Sequence, residues 1–146
     1  MGTWGFGSFE NDTALDWVGE FGDEPSVNEL LCALNGILEE DGHSESRIAL
    51  MEYLDDEDAC PIAVVAAEVI AAMRGHASPE FPDQLKAWVA ANRSAATARL
   101  VDTAVRALQK ARSNEIFLSC FCDDDDIRTW QSEVDGLINR LKKSAS

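Results

Sequence analysis

The sequence predicts an all-α fold, an irregular bundle of six or seven helices with a glycine- and aromatic-rich N-terminal arm packed on it. Three observations predict it. Apolar residues recur at spacings of three and four along most of the chain, and strict alternation is nowhere sustained. Residues that start and stop helices, such as Ser26, Asp58, Gly75 and Asp83, stand at the edges of those stripes. The chain has 146 residues, 46% of them hydrophobic, which suffices for one domain with a single buried core.

The first helix is expected from Asp12 to about Phe21, with Ala14, Trp17, Val18 and Phe21 on one face. Gly22 to Pro25 read as a turn, and Ser26 as the cap of a second helix. That helix carries Val27, Leu30, Leu31, Leu34, Ile37 and Leu38 and ends near Glu39–Gly42. Residues 43–58 admit a strand, a loose helical turn or a loop. Asp58 is the expected cap of a third helix, Ala59 to Arg74, with Pro61 in its first turn. This segment is apolar nearly all round, so it is expected to be central, and its alanines permit close helix approach. Gly75 ends it. Cys32 and Cys60, both in apolar helical stretches, read as small core residues.

After a connector with Pro79 and Pro82, Asp83 is the expected cap of a short helix bearing Leu85, Trp88 and Val89. The next helix is expected from Ser94 to about Arg112, with its core stripe at Leu100, Val101, Ala104, Val105 and Leu108. Arg99, Arg106 and Lys110 lie on its other side. Asn114 to Cys122 could form one more helix. The aspartates 123–126 then open the last helix, whose stripe is Ile127, Trp130, Val134, Leu137, Ile138 and Leu141. Acids at its start and Arg140, Lys142 and Lys143 at its end both suit the helix dipole.

The opening, Met1-Gly2-Thr3-Trp4-Gly5-Phe6-Gly7-Ser8-Phe9-Glu10-Asn11-Asp12-Thr13-Ala14-Leu15-Asp16-Trp17, alternates glycines with aromatics before an Asn-Asp pair. The small glycines suit an arm that folds closely onto a core, and the aromatics supply apolar area to bury there. The motif M-G-x-W-G-x-G-x-F-x-N-D-x-A-x-D-W resembles the start of a bacterial family known as domain of unknown function 4259. Residues 66–72 and 85–89 resemble it too. The resemblance implies a small, mainly helical bacterial domain and brings no substrate or catalytic residue with it.

Net charge is −15, and it is segregated. Residues 1–60 carry 16 acidic side chains against one base, Arg47, whereas residues 61–146 carry 11 of each sign. Such a balance argues against nucleic acid and against an anionic membrane surface, both of which require a basic face. The opening residues have no basic start, apolar run or small-residue cleavage site, so the expected location is cytoplasmic, with reduced cysteines.

Candidate chemistry is sparse. The glycines at 2, 5 and 7 follow no strand and precede no Lys-Ser or Lys-Thr, unlike a phosphate loop. Cys120 and Cys122, with His43 and His76, lack the second closely spaced ligand pair of a zinc site. The tetra-aspartate 123–126 lacks the alternation and central glycine of an EF-hand loop. No metal, cofactor or catalytic residue is therefore expected. Glu68 is the notable carboxylate, set in an apolar helix where an ionised side chain is costly unless paired. It reads as an acid or base lining a pocket, as a side chain that reaches the surface, or as the partner of a basic residue or of the Trp4 or Trp88 indole N–H.

The expected function is non-enzymatic binding of a basic protein through the acidic N-terminal half, in one form an immunity- or antitoxin-like role. The candidate binding residues are Trp4, Asn11, Asp12, Asp16, Trp17 and Glu68. Competing readings are a ligand-binding or enzymatic domain with a pocket near Glu68 and Trp17, and a structural homodimer with an exposed apolar patch. Trp4 and Trp17 are both expected to be largely buried. Trp4→Ala should then cost about 3 kcal/mol or more in urea unfolding. Free quenching of Trp4 by acrylamide would instead mark the arm as a binding element.

Overall fold

The computed structural model describes residues 12–38, 56–78, 81–114, 118–119 and 123–145. The N-terminal arm, including Trp4 and Asn11, lies outside these residues, as do His43, Arg47, Cys120, Cys122 and most of the stretch 43–58.

Six α-helices are present among the described residues, and no strand. They are α1 (Asp12–Asp23), α2 (Val27–Leu38), α3 (Asp56–Met73), α4 (Asp83–Ala91), α5 (Ala98–Arg112) and α6 (Asp124–Ala145). A 3₁₀ turn, Arg93–Ala95, joins α4 to α5. The all-α bundle predicted by periodicity is the observed architecture.

Its centre is α3. Every residue from Cys60 to Met73 is buried, and α1, α2, α4, α5 and α6 all pack on this helix. Ala63, Ala66, Ala67 and Ala71 are completely covered, so neighbouring backbones approach closely where a larger side chain would hold them apart. The outer helices present single stripes to it. Ala14, Val18 and Phe21 are buried on α1, Leu30, Leu34 and Ile37 on α2, and Leu100, Val101, Ala104, Val105 and Leu108 on α5. Trp130, Val134, Leu137, Ile138 and Leu141 do the same on α6. α5 also packs against α2 on one side and α6 on the other.

Helix ends follow local chemistry in several places. The Ser26 Oγ accepts from the Glu29 N–H at 3.2 Å, a side-chain cap for α2. At the end of α3, Gly75 has φ +91°, where a side chain would be strained. The His76 N–H donates to the Ala71 carbonyl (2.8 Å) and the Gly75 N–H to the Ala72 carbonyl (3.0 Å), a Schellman closure.

Three expected helix starts are corrected. α3 starts at Asp56, so Asp58 lies inside it and Pro61 is its sixth residue rather than part of its first turn. Acids in an opening turn are favoured by the helix dipole, so the acidic run itself can be helical. Pro82, with extended backbone angles, precedes α4 in place of Asp83, whose carboxylate instead pairs with Lys86 at 2.8 Å. That bond and charge hold the Asp83 carboxyl below its ordinary range. α5 starts at Ala98, not near Ser94, and the Thr97 Oγ1 caps it by accepting from the Leu100 N–H at 3.2 Å. The Ser94 region is a 3₁₀ turn because tertiary bonds hold it there: Arg93 Nε donates to the Met73 carbonyl (3.2 Å), and Arg74 Nη1 to the Ala96 carbonyl (2.8 Å).

Cys60 is buried as expected, but Cys32 is exposed. At 100° per residue it points roughly 200° away from Leu30, off the stripe that meets the core. Partial burial, and then the neighbouring Glu29 carboxylate, push the Cys32 thiol above its ordinary value. A raised value means less thiolate at any given pH. Iodoacetamide should therefore label Cys32 more slowly at pH 7.5 than it labels a thiol of ordinary acidity, with a rate–pH midpoint above about 8.5. A midpoint at or below that value would contradict the placement of Cys32 beside Glu29.

Candidate functional site

Of the six candidate residues, Asp16, Trp17 and Glu68 have side chains among the described residues. Trp4 and Asn11 lie outside the described residues, and Asp12 opens α1 with its side chain outside them. Asp16 is exposed on α1. Trp17 is half-buried, less covered than expected. Its ring stacks on Phe21 one turn later, with centroids 4.8 Å apart and planes at 14°. Phe21 in turn meets the edge of Trp88 on α4, at 5.2 Å and 86°. Trp17 thus extends an aromatic row that ties α1 to α4, with Phe21 as its fully covered member.

Glu68 is 3% exposed, the one buried charged side chain among the described residues. Arg140 on α6 meets it with both terminal nitrogens, Nη1 to Oε1 at 3.0 Å and Nη2 to Oε2 at 2.9 Å. The same Nη1 also donates to the His76 carbonyl at 3.0 Å. One guanidinium therefore joins the middle of α3, the turn that ends it and the last third of α6. A planar fork is the cation best shaped for this carboxylate, and Lys could not reproduce the two parallel bonds.

The surface of α1 carries the acid. Asp16, Glu20 and Asp23 are exposed at i, i+4 and i+7, in one row. Beside them runs a second exposed row, Leu15, Gly19 and Gly22, in which Gly19 faces open space and Gly22 lies near Gln84 and Leu85 of α4. Leu15, 39% exposed, is the one large hydrophobic side chain classed as exposed among the described residues. Glu24 and Glu29 extend the acidic surface toward α2. None of these five carboxylates forms an ion pair among the described residues. Five later acids are paired: Glu68 with Arg140, Asp83 with Lys86, Asp102 with Arg106, Asp125 with Arg128, and Asp135 with Arg112, while Asp123, Asp124, Asp126 and Glu133 form no ion pair among the described residues.

Two concavities are lined by described residues, and neither includes Glu68 or Trp17. One, of about 610 Å³, lies between α2 and α5. Val27, Leu31, Ala95 and Leu100 form its apolar floor, and Asn35, Thr97, Thr103, Arg99 and Arg106 its polar rim. The other, of about 450 Å³, is a shallow basic cleft where α3 and α6 end, bordered by Arg74, His76, Arg93 and Lys143. Its cations have structural work, since Arg74 and Arg93 satisfy loop and helix-end carbonyls there. Sequence reasoning did not single out Asn35, Arg99 or Arg106 as a group. Their signal was available in part: Arg99 and Arg106 are seven apart on α5, flanking the core stripe. Their meeting with Val27 and Leu31 is a tertiary fact.

Among the described residues no group of three or more His, Cys, Asp or Glu side chains is placed to hold a metal ion. No described helix is long and apolar enough to cross a membrane. A family model described as domain of unknown function DUF4259 matches residues 2–133. No curated protein and no solved structure matches the chain.

The Glu68–Arg140 pair supplies a test. Arg140→Leu removes the two-bond partner of a buried carboxylate and should cost about 3–5 kcal/mol in urea unfolding. The double variant Glu68→Leu/Arg140→Leu should recover most of that loss, because a buried pair replaced by apolar side chains is often close to neutral. A double variant as unstable as the single one would mean that Arg140 acts through its bond to the His76 carbonyl instead.

Proposed function

The chain belongs to the DUF4259 family, and from that premise we propose that it is a non-enzymatic protein-binding domain whose acidic α1–α2 surface docks a basic protein. One observation carries this reading. Asp16, Glu20, Asp23, Glu24 and Glu29 are exposed without ion pairs among the described residues, and no base lies within residues 12–38, whereas residues 61–146 carry 11 bases for 11 acids and five of those acids are ion-paired. Unmatched like charges on one face repel each other and attract cations, and a basic partner relieves both effects. Gly19, with open space where a side chain would stand, supports close approach of another backbone beside the acids. A homodimer is less well supported, since Leu15 alone is no extended apolar patch. A net charge of −15 supports a protein partner over nucleic acid. Neutralisation of a basic effector, in the manner of an immunity protein or antitoxin, is one form this binding takes.

The test is capture from lysate of the native host on the immobilised chain, with mass spectrometry and a salt gradient. The expected partner is basic, elutes by about 0.5 M NaCl, and is lost with Asp16→Lys/Glu20→Lys/Asp23→Lys. Captured proteins that are indifferent to this variant would overturn the proposal. The same surface should make Tm at pH 7 rise as NaCl is raised from about 20 to 300 mM. A fall would mean that ion pairs across the molecule outweigh the repulsion, and the acidic face would lose its need of a partner.

A further inference from the structure

The groove between α2 and α5 is independent of the acidic face and has different chemistry. Its volume of about 610 Å³ falls within the range of small-molecule sites. The floor is apolar, made by two half-buried side chains of α2, Val27 and Leu31, with Leu100 of α5. Among the described residues no carboxylate lines it. The charges on its walls among the described residues are Arg99 and Arg106.

The lining groups differ in what they have left to give. The Thr103 hydroxyl donates to the Arg99 carbonyl at 3.0 Å and is committed to its own helix. Arg106 holds Asp102 through Nε at 3.2 Å. The Thr97 Oγ1 accepts the Leu100 N–H as the cap of α5. Arg99 and Asn35, facing the groove from opposite helices, make no side-chain hydrogen bond or ion pair among the described residues. An uncommitted guanidinium and an uncommitted amide beside an apolar floor match one anionic head on an apolar body. One free cation suits a monoanion, whereas a polyphosphate would need several and would gain nothing from Val27, Leu31 and Leu100.

We infer that this groove binds a small amphipathic monocarboxylate, its carboxylate held by Arg99 with Asn35 and its apolar body lying on Val27, Leu31 and Leu100. The chain's overall charge opposes any such ligand, so a preference for the anion has to arise in the groove itself.

Octanoate and its neutral counterpart octanol separate the head from the tail. In nitrogen–proton NMR titrations of the full chain, octanoate should shift the amides of Leu31, Asn35, Leu100 and Thr103. It should bind about tenfold more tightly than octanol, the worth of one charge-assisted bond. Arg99→Gln should abolish that preference while leaving octanol binding unchanged, and Arg99→Lys should retain part of it. The Asp16→Lys/Glu20→Lys/Asp23→Lys variant should still bind octanoate at the same amides, which keeps this site separate from the protein-docking face. Equal binding of octanol and octanoate, a preference that survives Arg99→Gln, or no shift at these amides up to about 4 mM octanoate would each overturn the inference.

Discussion

The fold depends on one constraint, that α3 must be covered on every side. A helix apolar on one face needs a single neighbour, but α3 is apolar all round and contacts five helices. At roughly 25 cal/mol per Å² of apolar surface, leaving any flank open would be costly. Each outer helix therefore needs only one stripe, and its remaining surface is free for charge. The alanines make the arrangement possible by letting several backbones approach one axis.

Glu68 is the exception inside that constraint, and it explains where α6 sits. A buried carboxylate is tolerated only with a partner of matching geometry. Arg140 meets it with two parallel bonds and spends a third on the turn after α3. Burial of Leu137, Ile138 and Leu141 brings α6 to the core, and the ion pair adds a directional requirement on its position along α3.

Charge segregation follows from the same plan. Most described bases of the second half, though not Arg99, are used close to home, on their own acids and on carbonyls at the ends of α3 and the 3₁₀ turn. The acids of α1 and α2 are left to solvent or to a partner. α2 separates two environments: Glu29 lies on its acidic side, while Val27, Leu31 and Asn35 face the arginines of α5. Glu29 pairs with neither arginine among the described residues, and Arg106 holds Asp102 of its own helix.

How much was legible depends on the range of the forces involved. Three-four periodicity is a property of a single helix, so the sequence by itself determined the all-α class, the core stripes of α5 and α6, and the central place of α3. Ser26 and Gly75 act within four or five residues, and they too could be read directly. The start of α5 moved from near Ser94 to Ala98 because Arg93 and Arg74 bond to backbone carbonyls some twenty residues away. Cys32 lies in an apolar run, yet its direction around α2 puts it outside. Only the tertiary structure decided that Glu68 meets Arg140, 72 positions later, and that Arg99, Arg106, Asn35 and Leu31 share one groove. Such meetings depend on how whole helices cross, and no local pattern of residues carries that geometry.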